Sequence, residues 1–263
     1  MTENPARDAS FRALVLPKEH GSWSLAFEPV ALALLAAPSG AGAALAGATV
    51  AGFFVRRPLK LAVTLPAADE RRRAALRWAL LFGVVATGFL TLAGALGSWK
   101  ALWPLLAAAP FGALFLWFDL RNEMREAEAE LAGSTAFALA PAAFATLAGW
   151  SAAPAFAVAA LAVARNVPTV LAVRCYLRLQ KRQPTSAAGA VIAAGFSTGV
   201  IAILARQGLV PGIALALSLL LLARTLLLVL PIRPDWPAKR IGMLEAVLGL
   251  AHVLGIGLAY RLG

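Results

Sequence analysis

Two arginines lie inside apolar runs of this 263-residue chain, Arg165 and Arg224. An ionisable side chain near the centre of a bilayer costs at least about 2.5–3.5 kcal/mol, so it faces protein or water rather than lipid. Two guanidiniums at matching depth can grip a phosphate or a carboxylate. They can equally pair with Glu28, Glu130 or Glu245, which fall just inside apolar runs, and hold helices together. Asn166 adjoins Arg165, and Pro168 loosens the local helical hydrogen bonding. His252 follows Glu245 by about two helical turns on the same face, as a packing hydrogen bond or a proton carrier.

Three further groups carry charge at useful spacing. The stretch from Asp119 to Glu130 reads as a helix leaving an apolar run, with Asp119, Glu123, Glu126 and Glu130 at i, i+4, i+7 and i+11. That pattern puts four carboxylates and Asn122 along one face. Asp119, Glu123 and Glu126 as hard oxygen ligands suit Mg²⁺ shared with substrate phosphates; the alternative is a solvated helix with intrahelical ion pairs. The segment Arg56-Arg57-Pro58-Leu59-Lys60 can clamp a diphosphate, or act as a stop signal for topology. In Lys18-Glu19-His20-Gly21-Ser22-Trp23, Glu19 and His20 can do proton chemistry or cap a helix, and Trp23 reads as an interfacial anchor. One cysteine and two histidines exclude an internal disulfide and the usual zinc sets. No P-loop, dinucleotide fingerprint, HExxH or nucleophile-elbow motif is present.

The elements that must position these groups are membrane helices. The chain is 60% hydrophobic and 14% charged, against roughly 25% charged for soluble domains. Mean hydropathy is +0.77. This rules out a soluble globular enzyme and a disordered chain. Apolar runs predict about nine transmembrane helices, near 24–38, 41–55, 76–96, 101–118, 132–149, 154–173, 187–205, 209–231 and 241–260. The break Pro38-Ser39-Gly40 makes the first two a candidate tight hairpin. The expected fold is an all-α polytopic membrane bundle: residues 1–23 as an N-terminal segment, then one transmembrane domain over 24–263.

Net charge is +11. In this composition it reads as topology signals and contact with anionic headgroups, not as nucleic-acid binding. Nineteen of the 24 Lys and Arg fall in the N-terminal segment or in the loops after even-numbered spans; the opposite face has only Lys100, Arg206 and Arg261. The positive-inside rule then makes the N-terminus and those loops cytoplasmic. The acids fall on the same side, so any chemistry faces the cytoplasm.

The chain resembles the YwiC-like family of bacterial integral membrane proteins. The resemblance rests on Pro17-Lys18-Glu19-His20-Gly21-Ser22-Trp23 and Arg57-Pro58-Leu59-Lys60-Leu61-Ala62. It extends to Asp119-Leu120-Arg121-Asn122 with Glu130-Leu131-Ala132-Gly133, to Arg165-Asn166-Val167-Pro168 with Arg174, and to Gly242 with Glu245. It implies a multi-pass protein of the bacterial cytoplasmic (inner) membrane and points to no particular reaction. More distantly, the chain is similar to UbiA-type intramembrane prenyltransferases, which have nine helices, a cytoplasm-facing cavity and two Asp-rich motifs that bind prenyl diphosphate through Mg²⁺. Asp119-x-x-x-Glu123 resembles a degenerate second motif, whereas Asp69-Glu70 lacks the spacing of the first.

Three functions follow as expectations. The first is a Mg²⁺-dependent enzyme acting on an isoprenoid or lipid phosphate. In it Asp119, Glu123 and Glu126 hold metal, with Arg57, Lys60, Asn122, Arg165, Arg174 and Arg224 on substrate and His20, Glu28 and Glu245 as candidate acid–base groups. The second is a proton-coupled transporter of a small anion, with Arg165 and Arg224 as the site and Glu28, Glu245 or His252 carrying protons. The third is an accessory membrane subunit without its own site.

Overall fold

The computed structural model describes residues 11–16, 21–121, 123 and 126–262, without the side chains of residues 12, 21 and 22. Among them there are helices and no strands. A short α1 (Phe11–Val15) precedes α2 (Gly21–Ala36), α3 (Gly40–Thr64) and α4 (Glu70–Leu96). A 3₁₀ turn (Trp99–Leu102) leads into α5 (Leu105–Leu120), followed by α6 (Ala127–Leu139) and α7 (Pro141–Leu147). The chain continues as α8 (Ala152–Gln180), α9 (Ala188–Arg206), α10 (Ile213–Val229) and α11 (Ala238–Leu262).

Five of the expected runs are helices long and apolar enough to cross a membrane: 70–96, 127–147, 152–180, 188–206 and 238–262. The second of these joins α6 and α7 across Pro141, which takes the first-turn position where a missing N–H is tolerated. Residues 23–36, 105–120 and 213–229 form shorter apolar helices. The second expected run lies in α3, which is 25 residues long and carries Arg56, Arg57 and Lys60 in its second half. The hairpin at Pro38-Ser39-Gly40 is present: Ser39 caps α3 by accepting the Gly42 N–H at 2.9 Å.

Three expectations are corrected. The basic segment 56–60 is not a loop, because α3 runs through Pro58 to Thr64. The second basic helix end is also later than expected, since α8 continues to Gln180. The acidic stretch is not one helix: α5 stops at Leu120, Glu123 is in coil and Glu126 precedes α6. Asp119, Glu123 and Glu126 therefore do not share a helical face.

α8 is the axis of the bundle. At 1.5 Å per residue its 29 residues span about 43 Å. Its small side chains, Ala155, Ala157, Ala159, Ala162 and Ala172, are buried among α2, α6, α9, α10 and α11. Helices in lipid gain little from apolar burial against each other, so close backbone approach over small residues is what holds them. Gly133 on α6 shows the same device: a Cβ there would stand 2.6 Å from the Phe115 ring of α5.

The contacts define two ends of the bundle. At one end Arg56 and Lys60 of α3 reach Asp119 of α5, Arg174 of α8 reaches Glu130 of α6, and the Tyr176 hydroxyl donates to the Pro234 carbonyl at 2.8 Å. At the other, Thr146 donates to the Ala101 carbonyl at 2.6 Å and Tyr260 to the Leu209 carbonyl at 3.3 Å. Gly208, with φ 71°, makes the turn after α9 there, in the left-handed region glycine enters without strain.

Candidate functional site

Between the two ends, four helices bring four charges together. α2 supplies Glu28, α8 Arg165, α10 Arg224 and α11 Glu245. Arg165, Arg224 and Glu245 retain 3%, 5% and 8% of their exposure. Each is thus far from water, and charges so placed persist only when paired.

One carboxylate oxygen is the hub. Glu245 Oε2 accepts from Arg165 Nη1 at 3.0 Å and from Arg224 Nη2 at 2.9 Å. Arg165 Nη2 also donates to the Glu245 backbone carbonyl at 2.8 Å. Its Nε faces Glu28 Oε2 at 3.4 Å, so one guanidinium spans α2 and α11. The Thr169 hydroxyl receives Arg224 Nη2 at 2.8 Å and also Arg165 Nη1, while donating to the Arg165 carbonyl at 2.6 Å. Ser24 donates to Glu28 Oε1 one turn earlier on α2. Two cations and two anions make the cluster neutral overall if all four are ionised.

The cluster is incompletely satisfied. Arg165 Nε, Arg224 Nε, Arg224 Nη1, Glu28 Oε2 and Glu245 Oε1 are buried without a hydrogen-bond partner. Buried polar atoms are nearly always partnered, so unused donors and acceptors concentrated at one place need a physical reason.

Beside the cluster, Glu28, Arg165, Asn166 and His252 share a small cavity with Pro29, Leu32, Ala162 and Val253. It admits the centre of about one water molecule, with a volume of about 10 Å³. The backbone makes the approach possible through Gly249 of α11. A Cβ at that position would clash with the Glu28 carboxylate.

The remaining expected site residues go elsewhere. Asp119 is buried, with Arg56 Nε at 2.7 Å on one oxygen and Lys60 Nζ at 2.9 Å on the other. Arg56 also lies over the Phe115 ring at 4.6 Å. Arg57 donates to the Leu16 carbonyl. Arg174 meets Glu130 at 3.2 Å. Glu123 and Glu126 are exposed. His20 and Asn122 lie outside the described residues. Among the described residues no three Asp, Glu, His or Cys side chains come together as a metal site. The donors expected to hold Mg²⁺ thus do not assemble, and Asp119 is held by two cations. The cavity beside Arg165 has no Asp119 in its lining. Trp23, expected at the interface, packs in an aromatic cluster with Phe27, Phe53 and Phe54 at centroid distances of 5.7, 5.3 and 5.7 Å.

Sequence reasoning did not single out Thr169, Ser24 or Gly249. Thr169 follows Arg165 by four residues, and Ser24 precedes Glu28 by four. Gly249 stands four after Glu245 and three before His252. Helical i, i+3 and i, i+4 spacing from the charged residues was the available signal.

A family model described as YwiC-like protein matches residues 16–145. Over those residues the chain is similar to the YwiC-like family. No curated protein and no solved structure matches the chain. The YwiC-like portion covers α2 to most of α7 and contributes Glu28; Arg165, Arg224, Glu245 and His252 lie after it. The five helices long and apolar enough to cross a membrane are consistent with a helical membrane protein.

Proposed function

We propose that the protein is a multi-pass carrier of the bacterial cytoplasmic membrane, with about nine spans and a cytoplasmic N-terminus, that moves a small anion together with protons. The observation that carries this reading is the convergence of Arg165 and Arg224 on a single oxygen of Glu245, with Arg224 Nε and Nη1 unused and Arg165 Nε held only by the 3.4 Å ion pair to Glu28. Two guanidiniums around one carboxylate oxygen have the layout of an anion site whose occupant is internal. Protonation of Glu245 removes that occupant's charge. The two arginines then carry uncompensated charge beside Glu28, and an external phosphate or carboxylate is the natural replacement. Release of the anion and of the proton restores the internal pair. The carboxylates thus couple the two ligands through one shared set of donors.

The Mg²⁺-dependent enzyme on an isoprenoid or lipid phosphate is less well supported, because Asp119, Glu123 and Glu126 do not converge. A purely structural clasp is less well supported too, because it would leave fewer buried donors without partners.

The test is anion protection of the purified full chain against thermal unfolding in detergent, using inorganic phosphate, diphosphate and succinate at pH 5.5 and 8. Protection is expected to be larger at pH 5.5 and lost in Arg224→Gln. Equal protection at both pH values, or none from any of the three anions at either, would defeat the reading.

A further inference from the structure

Asn166 and His252 are 1% and 2% exposed, and both line the small cavity beside Glu28. The Asn166 amide nitrogen is used, donating to the Leu25 carbonyl at 3.0 Å and the Ser134 carbonyl at 3.4 Å. Its oxygen has no hydrogen-bond partner, and Glu28 Oε2 has only the 3.4 Å ion pair to Arg165 Nε. Neither ring nitrogen of His252 makes a well-formed hydrogen bond, although the Leu161 backbone lies against one of them. These orphaned atoms come from α2, α8 and α11, and their residues border one space the size of one water. A polar cavity that large with two to four polar partners is what a buried water requires.

We propose that Glu28, Asn166 and His252 hold one ordered water, and that this water passes a proton between the Glu28 carboxyl group and the His252 imidazole. The use of that proton in transport rests on the carrier reading above; the water site itself does not. In the exchange, protonated Glu28 gives its proton to the water oxygen as the water gives one of its own to the unprotonated ring nitrogen. One O–H bond breaks at Glu28 and one N–H bond forms at His252. The products are a carboxylate and an imidazolium, so net charge is conserved and no redox partner is needed. Asn166 Oδ1 accepts from the water and orients it.

The charged groups around His252 set the direction. Glu28 faces it from α2 and Arg165 from α8; Glu245, on its own helix, ties in Arg224 of α10. While Arg165 is held by both glutamates its charge is balanced. When Glu28 loses its proton the new carboxylate faces Arg165 and the new imidazolium together. The exchange therefore moves positive charge from the level of Gly249 to His252, less than one turn further along α11 and away from the end where the other charges gather. Gly249 is what lets Glu28 lie close enough.

The experiment is ¹⁵N-histidine solid-state NMR on the full chain in phosphatidylethanolamine–phosphatidylglycerol vesicles. The chain has two histidines, and His252→Gln assigns the second. Magnetisation transfer from water is expected to reach a His252 ring nitrogen and to be lost in Gly249→Ala, where Glu28 is displaced. Ring protonation of His252, followed from pH 4 to 9, is expected to shift its midpoint by about one pH unit in Glu28→Gln, as for coupled groups. A His252 that receives nothing from water overturns the site. A His252 whose protonation ignores Glu28→Gln, or stays unchanged throughout that range, overturns the exchange. Proton uptake driven by inorganic phosphate in the same vesicles tests the carrier reading separately. No flux with a wet, Glu28-coupled His252 removes the carrier and leaves the proton site. Flux with a dry His252 removes the proton site alone.

Discussion

Arg165 and Arg224 look alike in the sequence, yet their partners make them unequal. Among the described acids Arg224 meets only Glu245, whereas Arg165 meets both Glu245 and Glu28. Removing Arg224 leaves Glu245 with Arg165. Removing Arg165 leaves Glu28 without a cation, and stranding a buried charge typically costs about 3–5 kcal/mol. Arg165→Gln is therefore expected to lower the thermal midpoint in detergent more than Arg224→Gln. Adding Glu28→Gln to Arg165→Gln is expected to recover part of the loss, because it removes the stranded charge. Equal losses in the two single variants, or no recovery in the double, would contradict the pairing. The same comparison shows what was legible at this scale. Apolar surroundings marked both arginines, and cost arguments named Glu28 and Glu245 as possible partners. Which arginine takes which glutamate depends on how four helices are rotated, and no local pattern carries that.

At the scale of elements, helix identity was legible because long apolar runs have few alternatives in a bilayer, where backbone groups must be satisfied internally. The ends were less so. α3 and α8 continue past their apolar parts because Arg56, Arg57, Lys60, Arg174 and Arg178 are strong helix formers that find partners or solvent. The acidic stretch failed in the opposite way. Its spacing suited a helix, but Asp119 turns to Arg56 and Lys60 of α3, and α5 stops one residue later. Phe115 supports that junction, packed on Gly133 and beneath Arg56. Gly133→Ala is expected to destabilise by about 1–3 kcal/mol through overpacking, and Phe115→Leu in the same chain to restore much of it. A Gly133→Ala variant that unfolds with wild type would show that α5 and α6 are not in this contact. The start of α4 gives a pH prediction. Asp69 caps the helix by accepting the Arg71 N–H at 2.8 Å, and its side-chain and backbone bonds to Arg71 hold the carboxyl below its ordinary range. A lowered folded-state value means that the capping contribution is complete above the unfolded value of about 3.9 and fades as pH falls through the lower one. Wild type is thus expected to exceed Asp69→Ala in thermal stability at pH 7 and 5, with the gap closing only below about pH 4. A gap already closed at pH 5 would be inconsistent with that ion pair.

For the whole molecule, the informative quantity was the sidedness of charge rather than any motif. The sequence groups 19 of 24 basic residues with one face, and the folded chain gathers pairs such as Arg56–Asp119 and Arg174–Glu130 at one end of the bundle. That end also holds the turn after α8 and the link between α10 and α11, where Gln180 donates to the Trp236 carbonyl at 2.8 Å. The opposite end carries short neutral turns such as that at Gly149 and Trp150. Basic residues resist translocation, so the charged end should remain cytoplasmic. Ser186 lies just before α9 at the charged end, and Ser151 just before α8 at the other. The native Cys175 is buried and can be replaced by Ala to give a clean background. A cysteine at 186 is expected to react with a membrane-impermeant maleimide only after the membrane is opened. A cysteine at 151 is expected to react in intact cells from which any outer membrane has been removed. Reaction at 186 in intact membranes would invert the bundle. The arginine–glutamate cluster would stay in place, but the protons it is proposed to exchange would enter from the other side.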